Sequence, residues 1–437
     1  MRGEKSKTRR DAQRRKIGVK SQQQQQQSLT EPDVRGELKI EIETGKVGDD
    51  ERLSVATAPS SYMSRIQAKM SIQAIVSETT TVVFPLASRS FLDRLLSSAM
   101  ETPHLLFALL ASSDSHARRR RRRRLASSSR PDDTALDYTN SAIAGLRAAL
   151  SDERNAARSV EMAMTAMALC TNDVCNGNLD LFRVHLAGVR GMLLSGLLNG
   201  KRDSFAMYLF KWFAALDVSA GLSLFHKSNL LSGELYQSCR AALCASGDEG
   251  VDDICGYSLD LLPILAEVGG LARRRYTHPD DSEILRHSKV LEGRIAALDD
   301  CAATGGGQAT AKGTELHTTH VAFIHTALLH LHRRVFLLPK THPIVRTDVR
   351  NILDTLRSVR PTSTANILLL WPIFSAGCET DEVSERDIVD ERMSIMQGMG
   401  MGNFTRARNI LIQFWASKTT LRWDLWLAEQ GVDLVLF

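Results

Sequence analysis

No uninterrupted apolar stretch in this 437-residue sequence approaches the roughly 18 residues that a membrane-spanning helix needs. The basic amino terminus runs into glutamines rather than an apolar core, so no secretory leader is expected. Cysteine is sparse. Its seven copies, Cys170, Cys175, Cys239, Cys244, Cys255, Cys301 and Cys378, are odd in number and scattered. That pattern excludes a disulfide-stapled scaffold and suits a soluble protein of a reducing, intracellular compartment. β-Branched alternation is confined to Thr79–Phe84, and no period of about 20–50 residues repeats, so neither a sheet protein nor a regular solenoid is expected.

Catalytic signatures are missing as well. The sequence has no HExxH, no GxSxG elbow and no GxxxxGK[ST] loop. Gly398-Met399-Gly400-Met401-Gly402 lacks a preceding strand and reads as a linker before a helix capped by Asn403. His317, His320, His325, His330 and His332 share one helical stretch, but only His317 and His320 are spaced to chelate from one face. Two imidazoles make a poor metal site, so these histidines are read as packing residues beside Arg333 and Arg334. Cys170/Cys175 and Cys239/Cys244 are five apart in apolar helical context and read as buried thiols rather than zinc ligands. No catalytic residue, metal site or cofactor is assigned.

What the sequence does have is charge in blocks and apolar residues at helical spacing. The formal net charge is only +5, yet residues 1–20 carry nine Lys/Arg against Glu4 and Asp11. Together with the run Gln22–Gln27, this makes residues 1–60 a disordered basic and poly-Gln tail. Within it Lys7, Arg9, Arg10, Arg14, Arg15 and Lys16 are candidates for phosphate or import-receptor contact. Leu38–Glu43 alternates and would form at most a short strand on contact with something else.

From residue 61 the pattern is helical to the end, and the fold class is all-α, a large irregular multi-helix domain over 61–437. The expected helices cover 135–150 (through Leu136, Ile143, Leu146 and Leu150), 156–170, 179–198 and 204–220. Further helices are expected at 258–275, 283–299, 314–338, 342–358, 404–418 and 420–430. The arginines Arg118, Arg119, Arg120, Arg121, Arg122, Arg123 and Arg124 are read as a solvated loop between helices. That run is an import signal, a nucleic-acid contact or incidental.

Trp371, Trp415, Trp423 and Trp426 account for four of the five tryptophans and crowd the C-terminal end. Large indoles bury well between helices, so the set reads as core, with a small-molecule pocket between helices as the alternative. Pro372 suits the start or a bend of a helix. These residues fall in an ordered series: Trp371-Pro372-Ile373-Phe374-Ser375-Ala376-Gly377-Cys378-Glu379, then Gly398-Met399, Arg406-Ala407, Trp415 and Trp423-Asp424-x-Trp426. Upstream stand Leu329–Val335, His185-Leu186-x-Gly188 and Phe213…Leu216-Asp217-Val218. Over about residues 86–437 the series resembles the fungus-specific transcription-factor domain that accompanies six-cysteine binuclear zinc clusters, in the branch of arginine-metabolism regulators.

The resemblance implies a nuclear regulator of RNA polymerase II transcription of metabolic genes, with transcription machinery, other regulators or a second copy as partners. It also implies DNA binding. Ser6-Lys7-Thr8-Arg9 and Arg14-Arg15-Lys16-Ile17 resemble the flanks of such a cluster, yet every cysteine between them is missing. Zinc is therefore expected only if the cluster is restored, and DNA contact in this form is weak or indirect. Loss of the cluster and a gene model that omits it both fit. A cofactor acting through protein partners is the first alternative function, and an enzyme of unrecognised class the second.

Overall fold

The computed structural model describes residues 76–125, 134–152, 159–197, 204–224, 250–304 and 311–437. The basic residues Lys7 to Lys16, the Leu38–Glu43 alternation, Cys239 and Cys244 lie outside these. The described residues are helical throughout and contain no strand, only an isolated bridge between Val251 and Ser258. Residues 76–83, with the β-branched alternation, are helical too. There the Thr80 and Thr81 hydroxyls donate to carbonyls of Val76 and Ser77 one turn back, and Val76 and Phe84 are buried.

The first half of the chain builds a bundle around one apolar helix. Its elements are α1 (Arg89–Glu101), α2 (Pro103–Leu125), α3 (Thr134–Ser151), α4 (Ser159–Asn176), α5 (Leu179–Met192) and α6 (Ser204–Gly221). Ser88 caps α1, its hydroxyl accepting from the Phe91 amide. Helix α4 is buried on nearly every face from Val160 to Val174, as expected of a helix that is apolar all round. Helices α2, α3, α5 and α6 pack on it.

Two apolar stripes differ from the sequence reading. On α3 the core positions are Ala142 and Leu146, while Leu136 and Leu150 face solvent. On α5 they are Phe182, Leu186 and Val189, whereas the spacing over 179–198 points to Leu181, Val184 and Met192, of which Leu181 and Val184 are exposed. In both helices the narrow buried face is set by the neighbouring helix, which the spacing alone does not reveal.

The arginine run is the larger correction. Arg118–Arg124 continues α2 as helix rather than forming a loop. Arginine is a good helix former, and the first members find acceptors on the surrounding helices. Arg118 pairs with Asp114, Arg119 donates to Asn176 Oδ1 and the Gly400 carbonyl, and Arg120 pairs with Glu78. Arg121 is exposed.

The second half comprises α7 (Leu261–Thr277), α8 (Ser282–Thr304), α9 (Ala311–His330), α10 (Pro343–Ser358), α11 (Leu370–Cys378), α12 (Val383–Gly398), α13 (Gly402–Ser417) and α14 (Trp423–Glu429). Helix α9 is central and packs against α7, α8, α10 and α11. Pro372 lies in the first turn of α11, where its missing N–H costs nothing. Helix α12 is absent from the sequence reading because its apolar residues, Val389, Met393 and Met396, are outnumbered by charges.

Close backbone contacts join the halves. A Cβ on Gly269 of α7 would collide with the Gly221 carbonyl at the end of α6, so only glycine permits this crossing. Gly402 opens α13 against the Cys175 carbonyl in the same way. The cap of α13 is Met401, so Asn403 sits inside the helix instead of capping it. Its amide donates to the Phe437 carbonyl and ties down the C-terminal segment.

Candidate functional site

Helix α9 does not end cleanly. It runs into a π-turn, Leu331–Val335, followed by Leu337 in the left-handed region at φ 60°. Such widened turns re-aim side chains and often mark functional positions. Here the turn drives His332, Arg333 and Arg334 inward, all of them buried. Each holds a different element.

His332 bridges α10 and α8, with Nδ1 2.6 Å from Asp348 Oδ2 and Nε2 3.0 Å from Glu292 Oε1. Burial works against its charged form, but the two carboxylates outweigh burial and raise its pKa. Arg333 Nε donates to Glu379 Oε2 at 2.6 Å, gripping the C-terminal end of α11.

Arg334 reaches furthest. Its Nε donates to Asp424 Oδ2 of α14 at 2.9 Å, and its Nη1 donates to the Leu222 carbonyl beyond α6 at 2.7 Å. Its guanidinium lies 5.4 Å from the centre of the Trp423 ring. Arg422 also donates to both oxygens of Asp424, at 2.9 and 3.1 Å. Burial pushes the Asp424 carboxyl up, yet the two guanidinium groups prevail and hold its pKa at about 2.

One turn before, His330 lies under the same guanidinium. Arg334 Nη1 is 3.2 Å from His330 Nδ1, which therefore accepts, leaving Nε2–H to donate to Ser375 Oγ at 2.8 Å. Burial and the Arg334 charge keep this imidazole well below its ordinary pKa, so it is neutral. Trp371 packs edge-on to His330 at 4.8 Å, and Phe374 edge-on to Trp423 at 5.5 Å.

The hub therefore gathers the part of the aromatic signature nearest α9. Trp371, Phe374, Trp423 and Glu379 converge on the π-turn. Gly377, Cys378, Trp415 and Trp426 lie around it: Trp415 Nε1 donates to the Gly377 carbonyl at 2.8 Å, and Trp426 packs on Phe414 at 5.4 Å. A Cβ on Gly377 would come within 2.9 Å of Leu411 and Val389, so the missing side chain seats α12 and α13 on α11. Cys378 is a buried thiol pushed well up by burial.

The sequence reading did not find the Arg334–Asp424–Arg422 group or the His330–Ser375 bond. The signal was a pair of arginines ending an apolar helix and an aspartate between two tryptophans. His317 and His320 bind no common partner: His320 Nδ1 accepts from the Ser258 amide at 3.3 Å, and burial takes its pKa down to about 4. Among the described residues no three His, Cys, Asp or Glu side chains converge as metal ligands.

Beside the hub lies a small cleft whose enclosed space is about 20 Å³. The end of α6, Trp371, α14 and the segment 432–436 enclose it. No helix among the described residues is long and apolar enough to cross a membrane.

The family model described as fungal specific transcription factor domain matches residues 73–437. No curated protein and no solved structure matches the chain. The six-cysteine zinc cluster finds no ligands before that region, since the first cysteine is Cys170. Cys170, Cys175, Cys255 and Cys378 are free thiols whose pKa burial raises.

Proposed function

Because the chain belongs to the fungal-specific transcription factor domain family and is a fungal transcription regulator, we propose that it acts in the nucleus on RNA polymerase II transcription of metabolic genes. It does so through its helical body and protein partners, since residues 1–72 of this sequence supply no cysteine for a zinc-bound DNA reader. One observation carries this reading: the family match covers the helical body, while the residues before it contain no cysteine. A six-cysteine module without thiolates has no metal, and without metal no fold to place on DNA.

The basic residues Lys7, Arg9, Arg10, Arg14, Arg15 and Lys16 remain able to attract phosphate or an import receptor. Backbone attraction of this kind is salt-sensitive and carries no sequence choice. Retention of the full chain on duplexes of unrelated sequence tests the proposal. The expected retention is equal on all duplexes, indifferent to added zinc and erased by moderate salt. Zinc-dependent preference for one sequence contradicts it and supports direct reading of DNA.

A further inference from the structure

Helix α5 turns an apolar face outward that the neighbouring helices leave uncovered. Leu181 and Val184 are 50% and 66% exposed, and Leu194, in the turn that follows the helix, is 49% exposed. Ala187, Gly188 and Gly191 between them are exposed as well. Beside both glycines the space is open, with nothing within 4 Å of where a Cβ would stand. Residues 181, 184, 188 and 191 advance by three, four and three, the step of a single helix face, and none carries a charge. A surface helix ordinarily turns its charged residues outward, so a continuous apolar face marks a contact surface.

The polar groups at the edge of this face are already held from within the chain. His185 Nδ1 lies 2.8 Å from Asp173 Oδ2, and Arg183 pairs with Asp180 and with Asp433. Covering the face therefore removes apolar surface from water and leaves these pairs in place.

The shape of the face selects its occupant. It is bulky at the N-terminal end and bare at the C-terminal end, and Leu181 and Val184 have the same spacing as Gly188 and Gly191. An antiparallel copy related by a two-fold at the level of Leu186 sets Leu181 against the partner's Gly191 and Val184 against the partner's Gly188. Symmetry then repeats both contacts, as an isologous interface requires. The glycines let the two backbones approach closely. A parallel copy would instead set leucine on leucine and leave the glycine end hollow.

We propose that this face binds a second copy of the chain, α5 against α5 in antiparallel order. One helix face is small beside the about 800 Å² per partner of a standard interface, so the dimer is reversible. The pairing is independent of the function proposed above, and association is read without transcription.

Sedimentation of the purified full chain across micromolar concentrations tests the proposal, with a monomer–dimer equilibrium expected. Val184→Lys puts a charge on the face and is expected to weaken the dimer at least about tenfold. Gly191→Leu fills the hollow while raising helix propensity. It is expected to weaken the dimer by a similar factor at undiminished helical circular dichroism. The register is read by disulfide exchange with oxidised glutathione, against the wild type as background. A mixture of Val184→Cys and Gly188→Cys chains is expected to crosslink to each other in preference to themselves. Val184→Cys crosslinking as readily to its own copy indicates parallel order and overturns the proposal. A dimer that survives both Val184→Lys and Gly191→Leu overturns it too. A chain that stays monomeric throughout also overturns it and leaves the face to a protein of another sequence.

Discussion

Arg334 and Asp424, ninety residues apart in sequence, form a hydrogen-bonded ion pair at 2.9 Å in which neither side chain reaches solvent. The same guanidinium holds the Leu222 carbonyl and contacts His330. One side chain therefore joins α6, the end of α9 and α14.

Breaking this pair from one side leaves a buried charge without its partner. Arg334→Met is expected to cost about 3–5 kcal/mol, softened by Arg422, which stays on Asp424. Arg334→Lys is expected to cost nearly as much, because an ammonium group cannot match the planar fork. Combining Arg334→Met with Asp424→Leu is expected to cost less than the sum of the single changes, since both charges leave together. Urea unfolding followed by helical circular dichroism measures all three. Simple additivity would show that the pair is not coupled.

Acid stability is expected to be governed by buried neutral histidines. Burial, then neighbouring positive charge, lowers His116 and His320 to about 4 and His330 well below 6.5. Each stays neutral in the fold but protonates near 6.5 once exposed, so the unfolded chain binds more protons in this window. Stability therefore falls as pH drops from about 6.5 toward 4. His320→Gln is expected to flatten this slope. His332 has the opposite sign. Its raised pKa contributes stability that is complete below 6.5 and lost as pH rises through the folded value, so His332→Gln is expected to cost more at about pH 5 than at pH 8. Asp424 adds a further loss between 3.8 and about 2, where its carboxylate is neutralised. Melting temperature against pH for the wild type and both variants decides each sign.

Two glycines are expected to respond in opposite directions. Gly269→Ala drives a methyl into the Gly221 carbonyl and is expected to destabilise by about 1–3 kcal/mol or more, because backbone cannot step aside easily. Gly188→Ala on the exposed face of α5 meets nothing within 4 Å and is expected to stabilise by about 0.5–1 kcal/mol. Thermal unfolding of the two variants separates the crossing from a generic helix effect.

The ordered succession of helices was legible because apolar spacing repeats within each segment. Of the α13 stripe Phe404, Ala407, Ile410, Leu411, Phe414 and Trp415, the first five are buried as the spacing implied and Trp415 is half-buried. Signals that depend on distant partners were not legible. The arginine run became helix because Asp114, Asn176, Glu78 and the Gly400 carbonyl receive its first members. Helix α12 hid behind its charges, and the Arg334–Asp424 pair has no local trace at all. The aromatic signature was visible as a packing layer by composition, while the π-turn that collects Trp371, Phe374, Glu379 and Trp423 was not.

Engagement of Arg118, Arg119 and Arg120 leaves Arg121 as the exposed member among those whose side chains are described. Nuclear import is accordingly expected to depend on the amino-terminal block. Replacing Lys7, Arg9, Arg10, Arg14, Arg15 and Lys16 by alanine is expected to abolish nuclear accumulation of a fluorescent fusion. Replacing Arg121–Arg124 by glutamine is expected to leave it intact. The reverse pattern would move the signal to α2.

The helical body is proposed to regulate transcription through protein partners. Tethering the full chain to a reporter promoter through an unrelated DNA-binding domain tests it most directly. A change in reporter output relative to that domain alone is expected, diminished by Arg334→Met. Output identical to that of the DNA-binding domain alone, from a fusion shown to be folded and nuclear, would contradict it.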